Sequence, residues 1–283
     1  MWGVTWSAVK VGLTDMPPLL FAGFRTLIGG LALILVAARN VRALRWRSSW
    51  RIYMISCLLN VVLFFGLQTV GLYFLPSGLL SVLVYFEPIL VGLLASWWLG
   101  ERLTTLKLIG LFIGFLGIAA VSLHSITGHT APAGIFIGLA AAVSWAVGTV
   151  YLKRVQGQSD ILWTVAIQFT IGGVILLLCG SVAEPWHTIH ITSTLVWSMA
   201  YAALIGVSLS WVVWLRLVQN GAVSTISAYV FFVPLLSVAI GTVWLHEAIS
   251  LGLIVGLLLV VVSIYVVNRD ATQTTQIPLQ AKS

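Results

Sequence analysis

The chain is poor in charge, above all in negative charge. Only seven of its 283 residues are Asp or Glu and 14 are Lys or Arg, so charged residues make up 7% of it. Soluble domains carry about 25%. A globule of this size with so few charges has nothing with which to cover its surface, so the water-soluble class is excluded. Intrinsic disorder, which needs low hydrophobicity, is excluded with it. Cysteine is equally scarce. Cys57 and Cys179 both fall in apolar runs, which argues against a disulfide scaffold. The topology below puts them near opposite membrane faces, so they are not expected to pair. Also absent are the GxSxG, HExxH and P-loop signatures. The expectation is a protein that is not an enzyme, needs no cofactor and does not use ATP. No basic stretch precedes the first apolar run, so no signal peptide is expected.

What the chain has is apolar sequence. Hydrophobic residues make up 60% of it, and the mean hydropathy is +1.09. A spanning helix takes about 20 residues, so ten spans would use about 200 and leave only short connections. Apolar runs bounded by charges or turn residues predict helices at Met1–Leu13, Pro17–Ala38, Ile52–Leu75, Ser77–Leu99, Thr104–Leu123, Pro132–Arg154, Asp160–Ser181, Thr194–Val218, Ala222–Leu245 and Ile249–Val267. The tail, 268–283, is polar and expected to be disordered. The first run is short. At 1.5 Å per residue it reaches about 20 Å, against a hydrocarbon core of about 30 Å, so either this helix is a partial span or, the preferred expectation, the natural start lies upstream of Met1.

Lys and Arg set the orientation. With the N-terminus in the cytoplasm, Arg39, Arg42, Arg45, Arg47, Arg51, Arg102, Lys107, Lys153, Arg154, Arg216, Arg269 and Lys282 all fall inside, and Lys10 and Arg25 lie within spans. No basic residue is left for an outer loop. This predicts a multi-pass protein of the cell (cytoplasmic, inner) membrane with both termini cytoplasmic. The Arg39–Arg51 cluster, with Trp46 and Trp50 interleaved, has the look of a nucleic-acid patch. Its place at a headgroup-level loop favours lipid contact, and no nucleic acid is expected as partner.

The two halves repeat. Trp2–Lys10 (WGVTWSAVK) lies over Trp145–Lys153 (WAVGTVYLK), and Arg25–Gly30 (RTLIGG) over Gln168–Gly173 (QFTIGG), both at an offset of 143. At an offset of 146, Val84–Pro88 lies over Val230–Pro234, and Trp98–Glu101 over Trp244–Glu247. Five helices followed by five related ones must enter the membrane from opposite faces. The expected fold class is therefore an all-α membrane protein of ten transmembrane helices in two inverted five-helix repeats, 1–123 and 132–267. Such a pair supplies the two interchangeable half-conformations that alternating access requires.

The motifs WGVTWSAVK, PPLLFAGFR, EPILVGLLASWWLGE and VPLLSVAIGTVWLHE resemble the two EamA-type repeats of the drug/metabolite transporter superfamily, over nearly the whole chain. The resemblance implies ten helices, both termini cytoplasmic, and movement of small metabolites, often outward, with amino acids and related compounds as common cargo.

Few residues within the spans are ionisable, and each costs about 2.5–3.5 kcal/mol on insertion scales, so each needs a partner or a purpose. Glu87 precedes Glu101, at the inner end of the fourth helix, by 14 residues, about 21 Å. Arg25 follows Pro17 by eight, about 12 Å from the outer end. The two share a depth. Glu87 is either a substrate or proton site balanced by Arg25 or Lys10, or one partner of a permanent structural pair with Arg25. The second-half counterparts of Arg25 and Glu87 are Gln168 and Val233, and this asymmetry favours function. Pro88 and Pro234 match between the repeats and are candidate hinges, each freeing a carbonyl inside a span. Trp6, Asn60, Gln68, Tyr85, Trp145, Gln168 and Tyr229 are candidate cavity-lining residues; for each, plain helix packing is the rival reading.

Other features read as architecture. Trp97, Trp98, Trp186, Trp197 and Trp244 are interface anchors. Gly110/Gly114, Gly134/Gly138 and Gly252/Gly256 have the small-xxx-small spacing of close helix contacts. Glu101 and Glu247 are helix-terminus charges. His187 and His190 have a spacing a metal uses, but without Cys and with one neighbouring acid, Glu184, no metal site is expected.

The reading is a secondary transporter, an exporter of amino-acid-like or other small metabolites. The alternative is an exchanger of sugars, nucleotide sugars or phosphometabolites, although anionic cargo of that kind wants more cations than Lys10, Arg25 and Lys153. Outside transport, the rivals are an intramembrane enzyme or a structural protein. The expected partners are a small-molecule substrate and the lipid bilayer, with the chain a monomer or homodimer.

Overall fold

The computed structural model describes residues 1–75, 77–122, 132–236 and 251–275. Among them all regular structure is helical. Long apolar stretches supply the helices, and a few residues punctuate their ends. α1 (Trp2–Gly12) leads to α2 (Pro18–Ala37), with Pro18 in the first turn, where no backbone N–H is needed. α3 (Trp46–Cys57) runs through a π-helical segment, Leu58–Leu63, into α4 (Phe64–Phe74). Next come α5 (Ser77–Val84), α6 (Glu87–Leu99) and α7 (Thr105–Ser122). α6 stops at Gly100, whose φ of 69° is the left-handed C-cap glycine tolerates.

In the second half, α8 (Pro132–Arg154) precedes α9 (Ile161–Ala183), which starts where the Asp160 side chain accepts from Trp163 N. α10 (Ser193–Tyr201) continues through a second π segment, Ala202–Leu209, into α11 (Ser210–Asn220). α12 (Val223–Ala228) gives way to a 3-10 turn at Tyr229–Phe231, and α13 (Leu251–Thr275) closes the described chain.

Among the described residues six helical runs are long and apolar enough to cross a membrane: Pro18–Ala43, Trp46–Gly71, Leu79–Leu99, Pro132–Arg154, Ile161–Ala183 and Ser193–Asn220. Shorter apolar helices, Thr105–Ala120, Val223–Leu236 and Ile254–Arg269, accompany them. Large apolar side chains such as Val182, Trp97 and Leu35 face outward, as lipid requires and water does not. The chain is a multi-pass membrane protein.

Two helix pairs form the frame. α2 lies antiparallel along α9, with Gly30 against the backbone of Thr170 and Gly173 against that of Leu27. A Cβ at Gly30 would fall 2.4 Å from Thr170 N, and one at Gly173 2.5 Å from Leu27 N, so only glycine permits the approach. The 143-residue offset that aligns the two segments turns one contact into the other. α7 packs on α13 in the same manner, Gly110 against Val267 and Gly114 against Ser263 and Phe231.

Several expected boundaries are corrected. The third helix begins at Trp46, not Ile52, because arginine opposes membrane insertion without opposing helicity. The expected fourth helix is broken at Tyr85–Phe86, so Pro88 stands in the first turn of α6 instead of kinking a continuous rod. The last helix runs on to Thr275 through polar residues expected to be disordered, with Asn268 Nδ2 donating to Ile264 O. Glu247, Trp244, His246, His124 and His129 lie outside the described residues.

Candidate functional site

The π segments position the site. In both halves the third long helix widens by a turn, and aromatic side chains follow at once: Phe64 and Phe65 after the first segment, Trp211 after the second. π segments are often found at functional sites. Here the rings converge with Trp2 and Trp145. Phe64 stacks on Trp145 at 4.7 Å and 27°, Trp2 meets Trp145 edge-on at 6.0 Å, and Trp2 meets Trp211 at 6.2 Å. Trp2 Nε1 donates to Gly206 O inside the second π segment, at 3.2 Å.

These rings wall a cavity between the two halves. It reaches from Trp145 and Trp211 toward Leu13 and Pro18, at the α1–α2 turn. Its polar lining is Arg25, Gln68, Tyr85, Thr5 and Thr69. The guanidinium carbon of Arg25 sits 4.7 Å from the centroid of the Phe65 ring, a cation–π contact that fixes its direction. Arg25 Nε and Trp145 Nε1 have no hydrogen-bond partner. Thr69 Oγ1 donates to Phe65 O.

At the opposite end the bundle is bolted. The arginine-rich 38–51 segment lies there, with Trp163 Nε1 donating to Asn40 O and Ser49 Oγ to Gln158 O. The Glu101 carboxylate accepts from Val223 N at 2.7 Å and from Ser224 N, capping α12 across the two halves as a helix-terminus charge. Arg154 Nη1 donates to Trp98 O at 3.1 Å and lies over that indole, again across the halves. Lys153 Nζ donates to Gln219 O at 2.6 Å. At the α1–α2 end, Glu184 is engaged in capping Leu19 N and Leu20 N, and Thr192 Oγ1 donates to Asp15. Among the described residues no cluster of His, Cys, Asp or Glu is placed to hold a metal ion.

Of the sequence candidates, the cavity gathers Arg25, Gln68, Tyr85 and Trp145. Glu87 lies outside its lining. It is fully buried, and its Oε1 accepts from Thr149 of α8 at 3.5 Å, the long end of the hydrogen-bond range. Its Oε2 has no partner, so the Glu87–Arg25 pair expected from their common depth is not formed. Asn60 and Gln168 are buried in helix packing instead of lining the cavity, Asn60 against Gly148. Tyr229 is half exposed, and its hydroxyl donates to Asn268 Oδ1; the 3-10 turn rotates it to the outside. Pro234 follows that turn, in the place Pro88 holds after its own break. The side chains of Trp6 and Lys10 lie outside the described residues. Sequence reading missed Phe64, Phe65, Thr69 and Trp211 as lining. The available signal was Ser208 and Ser210 in an otherwise apolar run; their hydroxyls bond carbonyls five residues back, as a π turn allows.

A polytopic helical bundle enclosing an amphipathic cavity, with bonds between its halves at each end, has the architecture of a membrane transporter. Its sequence matches the EamA-like transporter family over residues 1–123 and again over 132–269, and the chain belongs to that family. It is 45% identical to the uncharacterized transporter YvbV of Bacillus subtilis, over 96% of this chain and 89% of that one. It is 26% identical to an Escherichia coli protein named "Probable amino-acid metabolite efflux pump", over 94% and 90% of the two chains. A crystal structure of another protein, 22% identical, superposes with a TM-score of 0.84 over 96% of this chain and 94% of that chain, so the fold is shared.

Proposed function

We propose that this chain is a secondary active transporter that exports amino-acid-like or other small metabolites by alternating access. In this reading two five-helix repeats, 1–123 and 132–267, stand in opposite senses in the cytoplasmic membrane, with both termini and the tail 268–283 inside. The observation that carries it is a cavity walled by residues of both halves, with bonds joining the halves at each end of the bundle. Releasing the Glu101–Val223 and Arg154–Trp98 bonds while those of Glu184 and Thr192 hold, and the converse, would turn the cavity from one face to the other. The matched breaks before Pro88 and Pro234 supply the hinges. Glu87, buried among helices that must shift, is the proton-coupling group: its protonation is linked to conformation if one state hydrates or pairs it and the other does not. An exchanger of phosphorylated cargo is less well served by a lining whose described side chains hold a single cation.

The test is an untargeted comparison of metabolites inside cells and in the medium, with and without the protein. Export predicts a class of compounds that falls inside and rises outside only when the protein is present. Identical profiles at full expression would contradict it.

A further inference from the structure

We infer that the cavity selects its cargo by a carboxylate, and that the compounds it takes are aromatic or bulky apolar monocarboxylates whose amino group, where present, is not read. This deepens the transporter reading and rests on it. Among the described lining residues Arg25 is a cation and no residue is an acid. Arg25 is nine-tenths buried, its Nε is unpartnered, and the one carboxylate at its depth is engaged elsewhere, with Thr149. A guanidinium held over a ring in low dielectric, with no counter-ion among the described residues, is a fixed half of an ion pair, and a planar carboxylate is the group its fork matches. Trp145 Nε1, the other unpartnered lining donor, adds a second N–H for an oxygen acceptor.

The rest of the wall sets the body of the cargo. Phe64, Phe65, Trp2, Trp145, Trp211 and Phe21 present ring faces and edges, a surface for an aromatic or branched apolar group. A primary ammonium finds no carboxylate in the described lining. Thr5 and Thr69 already commit their hydroxyl protons to Met1 O and Phe65 O and so present only neutral lone pairs. Charge recognition is thus one-sided. Among the described lining residues a single cation also sets the valence, since a dicarboxylate or phosphate would bring a second charge that these residues do not pair.

Purified protein is titrated with 3-phenylpropionate, phenylalanine and phenethylamine, following the tryptophan fluorescence that Trp2, Trp145 and Trp211 supply, and counterflow of each compound is measured in proteoliposomes. The inference predicts that 3-phenylpropionate and phenylalanine bind within about threefold of each other and phenethylamine at least tenfold more weakly. Arg25→Gln should weaken the two carboxylates at least tenfold and leave phenethylamine unchanged, a change the size expected for one charge-assisted contact. Arg25→Lys, which keeps the charge, should retain more of the binding than Arg25→Gln, and it keeps the test alive if the glutamine variant does not fold. Phenethylamine binding as well as phenylalanine, 3-phenylpropionate failing to bind, or carboxylate affinity unaltered in folded Arg25 variants would each overturn the inference. The transporter reading fails separately: carboxylate binding without counterflow contradicts transport and leaves the selectivity standing, while counterflow of amines alone does the reverse.

Discussion

Two of the intramembrane charges of the first half, Arg25 and Glu87, occupy opposite settings. Arg25 looks onto an open, aromatic-walled cavity, held in place by Phe65. Glu87 is sealed between α6 and α8, with one long hydrogen bond to Thr149 and one oxygen unpartnered. Charges at one depth that do not pair have separate tasks. In the proposed function the cavity-facing Arg25 reads a ligand, and the sealed Glu87 senses whether the helices around it have moved.

The sharpest way to break this comparison is to exchange the charges. Arg25→Glu combined with Glu87→Arg would restore a structural pair, but here it should bring transport down to the level of empty vesicles, with no gain over either single variant. Next in size is the coupling between the sites. Arg25→Gln and Glu87→Gln should change thermal stability additively, with an interaction energy below about 0.5 kcal/mol in the double-mutant cycle. A rescue of a kilocalorie or more would mean the charges are partners in some state. Thr149→Val removes the one bond Glu87 makes, at 3.5 Å, and should cost no more than about 1 kcal/mol in thermal denaturation. Smallest is Tyr229→Phe. It deletes a half-exposed bond to Asn268 outside the cavity, so stability should shift by less than about 0.5 kcal/mol and transport kinetics should not change.

The two halves differ in how far they could be read in advance. Composition alone gave a helical membrane protein, and α8 (Pro132–Arg154) has the bounds its apolar run predicts because proline and basic residues mark both ends. The contacts of Gly30 with Thr170 and Gly173 with Leu27 follow the repeat of the RTLIGG and QFTIGG segments. The site was less legible. Depth along a helix is readable at 1.5 Å per residue, but rotation about the helix axis is not, once an irregular turn intervenes. The π segment before Phe64 and the 3-10 turn at Tyr229 each reset that rotation, bringing Phe64 and Phe65 into the cavity and turning Tyr229 out of it. The break at Tyr85–Phe86 likewise points Tyr85 at the cavity and Glu87, two residues on, at Thr149.

The division of labour between these charges is tested most directly by driving transport with a pH gradient in proteoliposomes and comparing the result with exchange at equal pH. Glu87→Gln has nearly the volume of the native residue and carries no ionisable group. The account predicts that this variant, folded and at wild-type thermal stability, exchanges cargo across the membrane but gains nothing from an imposed gradient, whereas Arg25→Gln loses exchange and driven transport together. Full gradient-driven transport by well-folded Glu87→Gln would contradict it and shift the driving force to the charge of the cargo itself.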